Sequence, residues 1–455
     1  MNVVHVPLEA DRWQVKRDWA RLDEVTLGVW DCPHSTPTLT GHGPFVVRSQ
    51  DVREGFFKID EAARVSEETY QERIERAEPT YGDIFYSREG TYFGIAAEMP
   101  RGLRICLGQR MVLIRPDPAK VDKTFLRLWL NSPILTRHIH GFRDGTVAER
   151  LNMPTIRGLP VPKVLLHEQR RISELLGSLD DKIELNRRMN ETLEALAQAI
   201  FRDWFVDFGP TRRKMEGATD PIKIMGGVTQ NTDEAARLAA LFPTALADNG
   251  LPEGWKWSNI GSQACTLLGG TPSRSRADFW SGDIPWINSG KANEFRILTP
   301  SEQITKLGLD SSATKLLPRR TTVIAITGAT LGQVSLTEIE TCANQSIVGV
   351  IDSGRLSSAF LYYWIKENID VLVSKQTGGA QQHINKGNVE ELPVIIASSD
   401  IFVAFGKLAN PLLDHIASAC FESLSLAAMR DLLLPKLMSG EIRLKDAEKI
   451  AEAAE

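Results

Sequence analysis

The 455-residue chain has no excess of positive charge: 53 Lys and Arg stand against 58 Asp and Glu, a formal net charge of −5. A protein that grips nucleic acid through phosphates over its whole surface carries a basic balance, so that class is disfavoured and only local basic faces stay open. Cysteine is scarce and scattered, at Cys32, Cys106, Cys265, Cys342 and Cys420. An odd number without a C-x-x-C pair speaks against a disulfide framework or a zinc site and reads as free thiols in a reducing cytoplasm. No run of about 18 apolar residues occurs, so no membrane span is expected. The opening Met1-Asn-Val-Val-His-Val-Pro7 lacks a basic region followed by a long apolar stretch, so no signal peptide is expected.

Catalytic tools are also missing. There is no G-x-x-x-x-G-K-[ST] loop, no G-x-G-x-x-G and no Glu-x-Lys. Asn410-Pro-Leu-Leu413 lacks the second proline and the aromatic of an amino-methyltransferase pocket. His138 and His140 fall at the expected end of a helix, and no Cys or Asp set completes a metal site around them. Asp180-Asp181 resembles a carboxylate pair, but neighbouring helical residues point apart, so both are expected on a solvated face. The expectation is a non-enzymatic chain with neither cofactor nor metal of its own.

What is present is a globular composition, 42% apolar and 24% charged, on a length that suits two or three domains. It is organised by an internal repeat. Pro44, in Gly43-Pro-Phe-Val-Val-Arg-Ser49, falls opposite Pro285, in Ile284-Pro-Trp-Ile-Asn-Ser-Gly290, at an offset of 241. Gly90-Thr-Tyr-Phe-Gly94 faces Gly328-Ala-Thr-Leu-Gly332 at 238, and Cys106-Leu-Gly-Gln109 faces Cys342-Ala-Asn-Gln345 at 236. Leu151-Asn152 and Leu159-Pro160 face Ile384-Asn385 and Leu392-Pro393 at 233. Order is kept while the offset drifts, as small loop deletions would produce.

The offset of 233 continues into two amphipathic stretches. Ile172, Leu176, Leu179, Ile183, Leu193 and Ile200 recur at helical spacing between His167 and Phe208, with Gly177 as the one break. Leu412, Ile416, Leu426, Met429 and Leu433 form the partner stripe between Phe402 and Leu437, and Leu196 aligns with Met429. Each globule carries short strands, among them Phe45-Val-Val47, Asp83–Tyr86 and Met111–Ile114, then Val323–Ile326 and Ser346–Ile351. Helical segments follow at Lys123–His138 and Ser358–Val373. The expected fold is α+β, with a curved, largely antiparallel sheet in each globule. The expected order is a first globule over 1–163, a helix over 164–208, a linker over 209–253 with one short helix near Asp233–Leu241, a second globule over 254–397, and a helix and tail over 398–455. The two apolar stripes should pair as an antiparallel coiled coil.

Polar side chains gather on the loops between strands. The second half offers Arg274 and Arg276, Asn288 and Lys291, Thr327 and Thr330, and Lys375 with Gln381, Gln382 and His383; the first half offers Arg48 and Gln50, Ser87, Arg88 and Thr91, and Arg143 and Thr146. Arg, Lys, Asn and Gln can make paired contacts to base edges, while Ser, Thr and backbone N–H groups hold phosphates. The anchors agree between halves and the loop contents differ: Arg88-Glu89 stands against Thr327, and Arg143-Asp144 against glycines flanked by glutamines. One frame with two sets of loop side chains suits two readers of different sequences. Both globules carry a net charge of +1 and the first helix −3, so phosphate contacts alone would give modest affinity. A helical scaffold pairing two protein-binding domains is the alternative, and the Arg- and Gln-bearing loops weigh against it.

Several stretches resemble one family. Ile183-Glu-Leu-Asn-Arg-Arg-Met-Asn-Glu-Thr-Leu-Glu-Ala-Leu-Ala197, followed by Phe201-Arg-Asp-Trp-Phe-Val-Asp-Phe208, is similar to the central helix of type I restriction–modification specificity subunits. Leu432–Arg443 resembles the end of their second helix. Leu268-Gly-Gly-Thr-Pro-Ser273, Gly282-Asp-Ile-Pro-Trp286, Gly328–Gly332 and Asn344-Gln345 resemble parts of their target recognition domains. The first globule departs from the pattern, with Cys32-Pro-His-Ser-Thr-Pro37 in place of Gly-Gly-Thr-Pro. The resemblance implies two target recognition domains separated by the two helices, and double-stranded DNA as ligand. It implies two DNA adenine methyltransferase subunits and ATP-dependent motor-nuclease subunits as partners, which would carry the S-adenosylmethionine, ATP and magnesium. A duplicated chain can offer equivalent surfaces to two copies of one partner, and Trp204, Phe205 and Phe208 at the helix end are the candidates for that docking.

Overall fold

A computed structural model describes residues 18–59, 62–90, 93–140, 150–376 and 383–452. The chain divides into two compact units, Met1–Glu184 with Ser423–Glu455, and Leu185–Glu422.

Each unit has the same plan. In the first, an antiparallel sheet runs in the order Thr26–Asp31, Met111–Pro116, Ile84–Ser87, Ala96–Glu98. In the second the order is Cys265–Leu268, Ile347–Ile351, Thr322–Ala325, Val334–Leu336. The central strands are apolar at successive positions because both their faces are covered. Val112 and Ile114 pack with Phe125 and Trp129 of the helix Lys123–Leu130, while Met111 and Leu113 pack with Val47 and Leu107 of a second sheet. In the other unit Val348 and Val350 join Phe360 and Tyr363, and Val323 and Ile347 join Ile287 and Ala343. The expected single curved sheet is thus two sheets, because a strand buried on both faces needs a second layer.

The second sheets also correspond. Leu39–Val47 lies antiparallel to Ala63–Val65 and parallel to Ile105–Leu107; Trp280–Ile287 lies antiparallel to Glu302–Ile304 and parallel to Thr341–Ala343. Both long strands carry a register shift before the parallel pairing. Cys106 and Cys342 occupy equivalent places in that pairing, and burial pushes both thiols up to about 11. They are packing residues, inert as nucleophiles.

Two long helices, Leu166–Phe205 and Ser399–Ser439, run antiparallel and pair within each unit. In the first, Ile172, Leu176 and Leu179 meet Leu433, Leu434, Leu437 and Met438; in the second, Ala197, Ile200 and Phe201 meet Phe405, Ala409, Leu413 and Ile416. Between these apolar sets the pairing turns polar. Buried Asn186 donates to the Ala419 carbonyl and to Glu422, and Asn190 to Cys420 Sγ at 3.3 Å. Such buried asparagines fix register at some expense of stability.

The structure departs from expectation in several further places. The segments Lys123–His138 and Ser358–Val373 each break in two, at Asn131-Ser132-Pro133 and at Asn368. A residue before proline avoids the helical region, and Asn131 instead bridges the Ala96 N–H and carbonyl at 2.8 and 2.9 Å. The 209–253 linker is ordered: helices Gly209–Met215, Pro221–Ile224 and Thr232–Leu241 belong to the second unit, with Ile224, Met225, Ala239 and Phe242 in its core. Leu196, expected on the apolar stripe, is exposed. Asp180 is not on a solvated face; it accepts from Arg127 at 2.8 Å and Arg430 at 2.9 Å, while Asp181 is exposed. Among the described residues no helix is long and apolar enough to cross a membrane.

Candidate nucleic-acid interface

In the second unit the strand Trp280–Ile287 ends in the turn Ser289–Asn293, capped by Asn288 Oδ1 accepting from Gly290 N at 2.9 Å. This turn packs against the turn Gly328–Thr330 that follows the central strand. Thr327 is bridged in turn to His383. Asn288, Lys291, Thr327, Thr330 and His383, far apart in sequence, therefore share one rim. Thr330 donates to the Thr327 carbonyl at 3.2 Å, which closes its turn.

The first unit repeats the arrangement. Arg48 precedes the turn Ser49–Asp51 and Gln50 lies within it, and Glu89 is bridged to Arg150 as Thr327 is to His383. Gly90, at φ +95°, holds the neighbouring turn; a β-carbon there would sit 3.8 Å from Ser49 Oγ and from the Arg110 guanidinium. The two turns thus adjoin here too, and Arg110 joins a rim on which it was not expected. Ser87 does not: it is fully buried, and its hydroxyl could not reach a ligand. Thr91, Arg143, Thr146, Gln381 and Gln382 lie outside the described residues.

Arg274 and Arg276 stand on the segment before Trp280. The Arg274 guanidinium lies 3.7 Å from the centroid of the Trp280 ring and 5.2 Å from that of Trp286. Its fork is filled by Glu302, with Nη1–Oε2 at 2.6 Å and Nη2–Oε1 at 2.8 Å. That paired hydrogen bond holds the Glu302 carboxyl below its ordinary range. In the first unit the Arg64 guanidinium lies 3.9 Å over Phe45, the residue before Val46, which takes the place of Trp286 opposite the buried cysteine. The two tryptophan rings come within 5.3 Å of each other because the strand shifts register between Trp280 and Ile284; on a regular strand residues six apart would lie about 20 Å from each other.

The candidate cations share a property that the loop reading did not anticipate. Arg48 pairs with Asp51 at 3.0 Å, Arg276 with Asp278 at 2.6 Å and Lys291 with Glu294 at 2.7 Å. Arg88 turns inward to Asp31 at 3.3 Å without a well-directed hydrogen bond, and Lys375 lies 3.9 Å from Glu391. Each described candidate Arg or Lys has its own carboxylate, which is why neither half gains a net basic face.

The aromatics assigned to docking are interior. Trp204 and Phe205 are fully buried, and Phe208 is half-buried. Phe205 stacks on Phe402 at 5.7 Å and meets Phe360 edge-on at 4.9 Å; Trp204 meets Phe242 edge-on at 5.0 Å; Phe208 meets Trp255 at 5.7 Å. These rings form the core that joins the long helices to the ordered 209–253 segment, so Trp204 and Phe205 have no face left to present to a partner. The first long helix instead exposes Leu185, Met189 and Leu196, at 60, 41 and 48%. At about 100° per residue these three fall within a stripe about 40° wide.

The second unit also holds a buried acidic centre. Glu194, on the first long helix, accepts from Arg296 at 2.7 Å, Tyr362 at 3.2 Å, Tyr363 at 3.0 Å and Lys366 at 2.9 Å. Burial opposes its ionisation, but Arg296 and Lys366 outweigh burial and keep its pKa below the ordinary value. Glu338 gathers Arg319 at 3.1 Å and Arg320 at 3.0 Å, and Arg320 reaches Asp414 on the second long helix at 2.8 Å. Among the described residues no group of three or more His, Cys, Asp or Glu could hold a metal ion.

Comparison with known proteins gives one consistent family. The type I restriction modification DNA specificity domain matches residues 41–195 and again 252–401, one match per repeat. The chain is 28% identical over 402 residues to the type I restriction enzyme HindI specificity subunit of Haemophilus influenzae, covering 79% of this chain and 86% of that one. It is 22% identical over 331 residues to the MjaIX specificity subunit of Methanocaldococcus jannaschii, covering 72% and 70%. A crystal structure of a type I restriction–modification system S subunit from M. genitalium shares the fold, with a TM-score of 0.52 at 14% identity over 93% of this chain and 96% of that one.

Proposed function

Because the chain belongs to the type I restriction–modification specificity family, whose members are non-catalytic targeting subunits, we propose that it reads a two-part, asymmetric and interrupted DNA target, one part with each repeat. The observation that carries this reading is the pair of rims: the same two turns adjoin in both units, yet they bear Arg48, Gln50 and Arg110 in one and Asn288, Lys291 and Thr330 in the other. A common frame sets how a reader meets a groove, and different side chains on it select different base edges.

The chain works with two DNA methyltransferase subunits and, through them, motor-nuclease subunits, in the cytoplasm where the DNA is. The local charge balance supports this division, because a reader whose cations are each paired needs help with phosphate grip. The Leu185–Met189–Leu196 stripe, not Trp204, is the apolar face left for the methyltransferase. The test is to express the chain with its methyltransferase and map modified adenines by long-read sequencing. A bipartite, non-palindromic motif is expected; a continuous palindrome, or no motif that depends on this chain, overturns the reading.

A further inference from the structure

At Arg274 the pairing of cation with carboxylate uses both ends of the fork and reaches across 28 residues of sequence. Glu302 lies on the strand antiparallel to Trp286 and directly opposite it, so backbone register, not chance rotamers, delivers its carboxylate to the guanidinium. Trp280 covers the guanidinium face, and both acceptor oxygens lie within 2.8 Å of the fork. Both side chains are about half exposed, so neither is needed by the core.

We propose that Glu302 is a specificity-determining residue that masks Arg274 against non-cognate DNA. This inference rests on the sequence-reading function above. A planar two-oxygen acceptor fills the same fork that a guanine O6 and N7 would fill. While Glu302 sits there, a passing phosphate gains nothing from Arg274 unless it gives as much as the carboxylate already gives. A guanine edge at the right depth gains the fork together with the surrounding base contacts, which a misplaced duplex lacks. Because both side chains are about half exposed, releasing the pair costs a cognate site little, whereas a phosphate also meets the repulsion of the carboxylate, which an uncharged guanine edge escapes; the masking therefore subtracts from non-specific binding more than from specific binding. It raises the ratio of the two, on which a sequence reader among many competing sites depends. The Trp280 stack limits the swing of the guanidinium, so exchange of one acceptor for the other needs little side-chain reordering.

The experiment uses the full chain assembled with its methyltransferase. Two duplexes of equal length are compared across a salt series: one carries the mapped motif, the other has the half-site read by the second unit scrambled. Glu302→Gln, equal in shape, should strengthen binding to the scrambled duplex about fivefold at 0.15 M salt and steepen its log–log salt slope by about 1, the effect of one added phosphate contact. Binding to the motif duplex should change less than twofold. The same substitution on an Arg274→Gln background should leave both affinities unchanged. Four results overturn the proposal: no change on the scrambled duplex, an equal rise on both duplexes, the same rise without Arg274, or a tenfold loss on the motif duplex, which would make Glu302 a base reader itself. A wild-type complex that does not distinguish the duplexes removes the proposed function first, and this inference with it.

Discussion

Replacing Glu194 by alanine removes the acceptor on which Arg296, Tyr362, Tyr363 and Lys366 converge. Arg296 is almost fully buried, and its nearest remaining carboxylate is Glu338 at 3.9 Å. Breaking a buried ion pair by deleting one partner costs about 3–5 kcal/mol, because the other charge stays behind unsolvated. Glu194→Gln keeps an oxygen and the shape, so its cost should be nearer that of removing a charge-assisted hydrogen bond, about 1.5–3 kcal/mol. Urea unfolding followed by fluorescence would read both as lowered midpoints at unchanged slope. The acid limb gives a second reading. A carboxyl whose folded pKa lies below its unfolded one contributes stability that is present above the ordinary value of 4.5 and is lost as pH falls through the folded value. Wild-type stability should therefore decline below about pH 4.5 with a component that Glu194→Gln lacks. An alanine variant within about 0.5 kcal/mol of wild type, the spread of ordinary surface substitutions, would refute the claim that this network fastens the second unit's sheets to the first long helix.

Asp180→Asn should weaken the other unit by about 1.5–3 kcal/mol, since it takes the charge from the acceptor that Arg127 and Arg430 share, leaving Arg127 only Glu98 at 4.0 Å and Arg430 the more exposed Asp431 and Glu54; an unchanged urea midpoint would count against it. Leu185→Lys with Met189→Lys should leave the isolated fold intact and lower the mass of the methyltransferase complex in light scattering, whereas Trp204→Ala should cost about 3–5 kcal/mol of stability through a core cavity. Equal complex mass for the lysine variant would remove the stripe from the interface. Lys291→Ala should relax one half of the methylated motif, by the roughly 1–3 kcal/mol of discrimination that a good base-edge pairing supplies, and leave the other half unchanged in long-read maps; a change in both halves would sink the assignment of one half to each repeat.

The repeat was legible because its anchors are short and local. Gly90 and Gly328, and Cys106 and Cys342, sit at matching points of the two units, while Pro44 and Pro285 are one residue out of step, since Val46 faces Cys106 as Trp286 faces Cys342. The helices were legible because a stripe at helical spacing survives one glycine or proline. The partners of a stripe are harder to read. Phe205 packs on Phe402 and Phe360, about 200 and 155 residues away, and nothing local separates a ring bound for that core from one left for a partner. The order in 209–253 did have signals. Asp220 before Pro221, and Asn231 before Thr-Asp-Glu234, are helix starts whose side chains accept from Ile222 and from Asp233 and Glu234. The second of these, Thr232–Leu241, was expected; the other helices of the segment are short, and their weak apolar periodicity hid how much of it packs into the core of the second unit. The ion pairs of the rims were not legible: Glu302 follows Arg274 by 28 residues and meets it only through strand register.

The second unit is one uninterrupted stretch, Leu185–Glu422, while the first is assembled from both sides of it. During synthesis the unit begun first is thus completed last. The strands described in the first unit and its half of the first long helix emerge early, but Ile172, Leu176 and Leu179 lack Leu433, Leu434, Leu437 and Met438 until the stretch after the second unit is made. Domains that fold as units from the N-terminus onward normally avoid such a wait. Here an apolar helix face stays uncovered while more than two hundred residues are added, so the N-terminal half is the stretch of this chain most exposed to chaperones and to aggregation. A chain ended just before Ser423 would retain every residue of the second unit and leave the first without its closing helix.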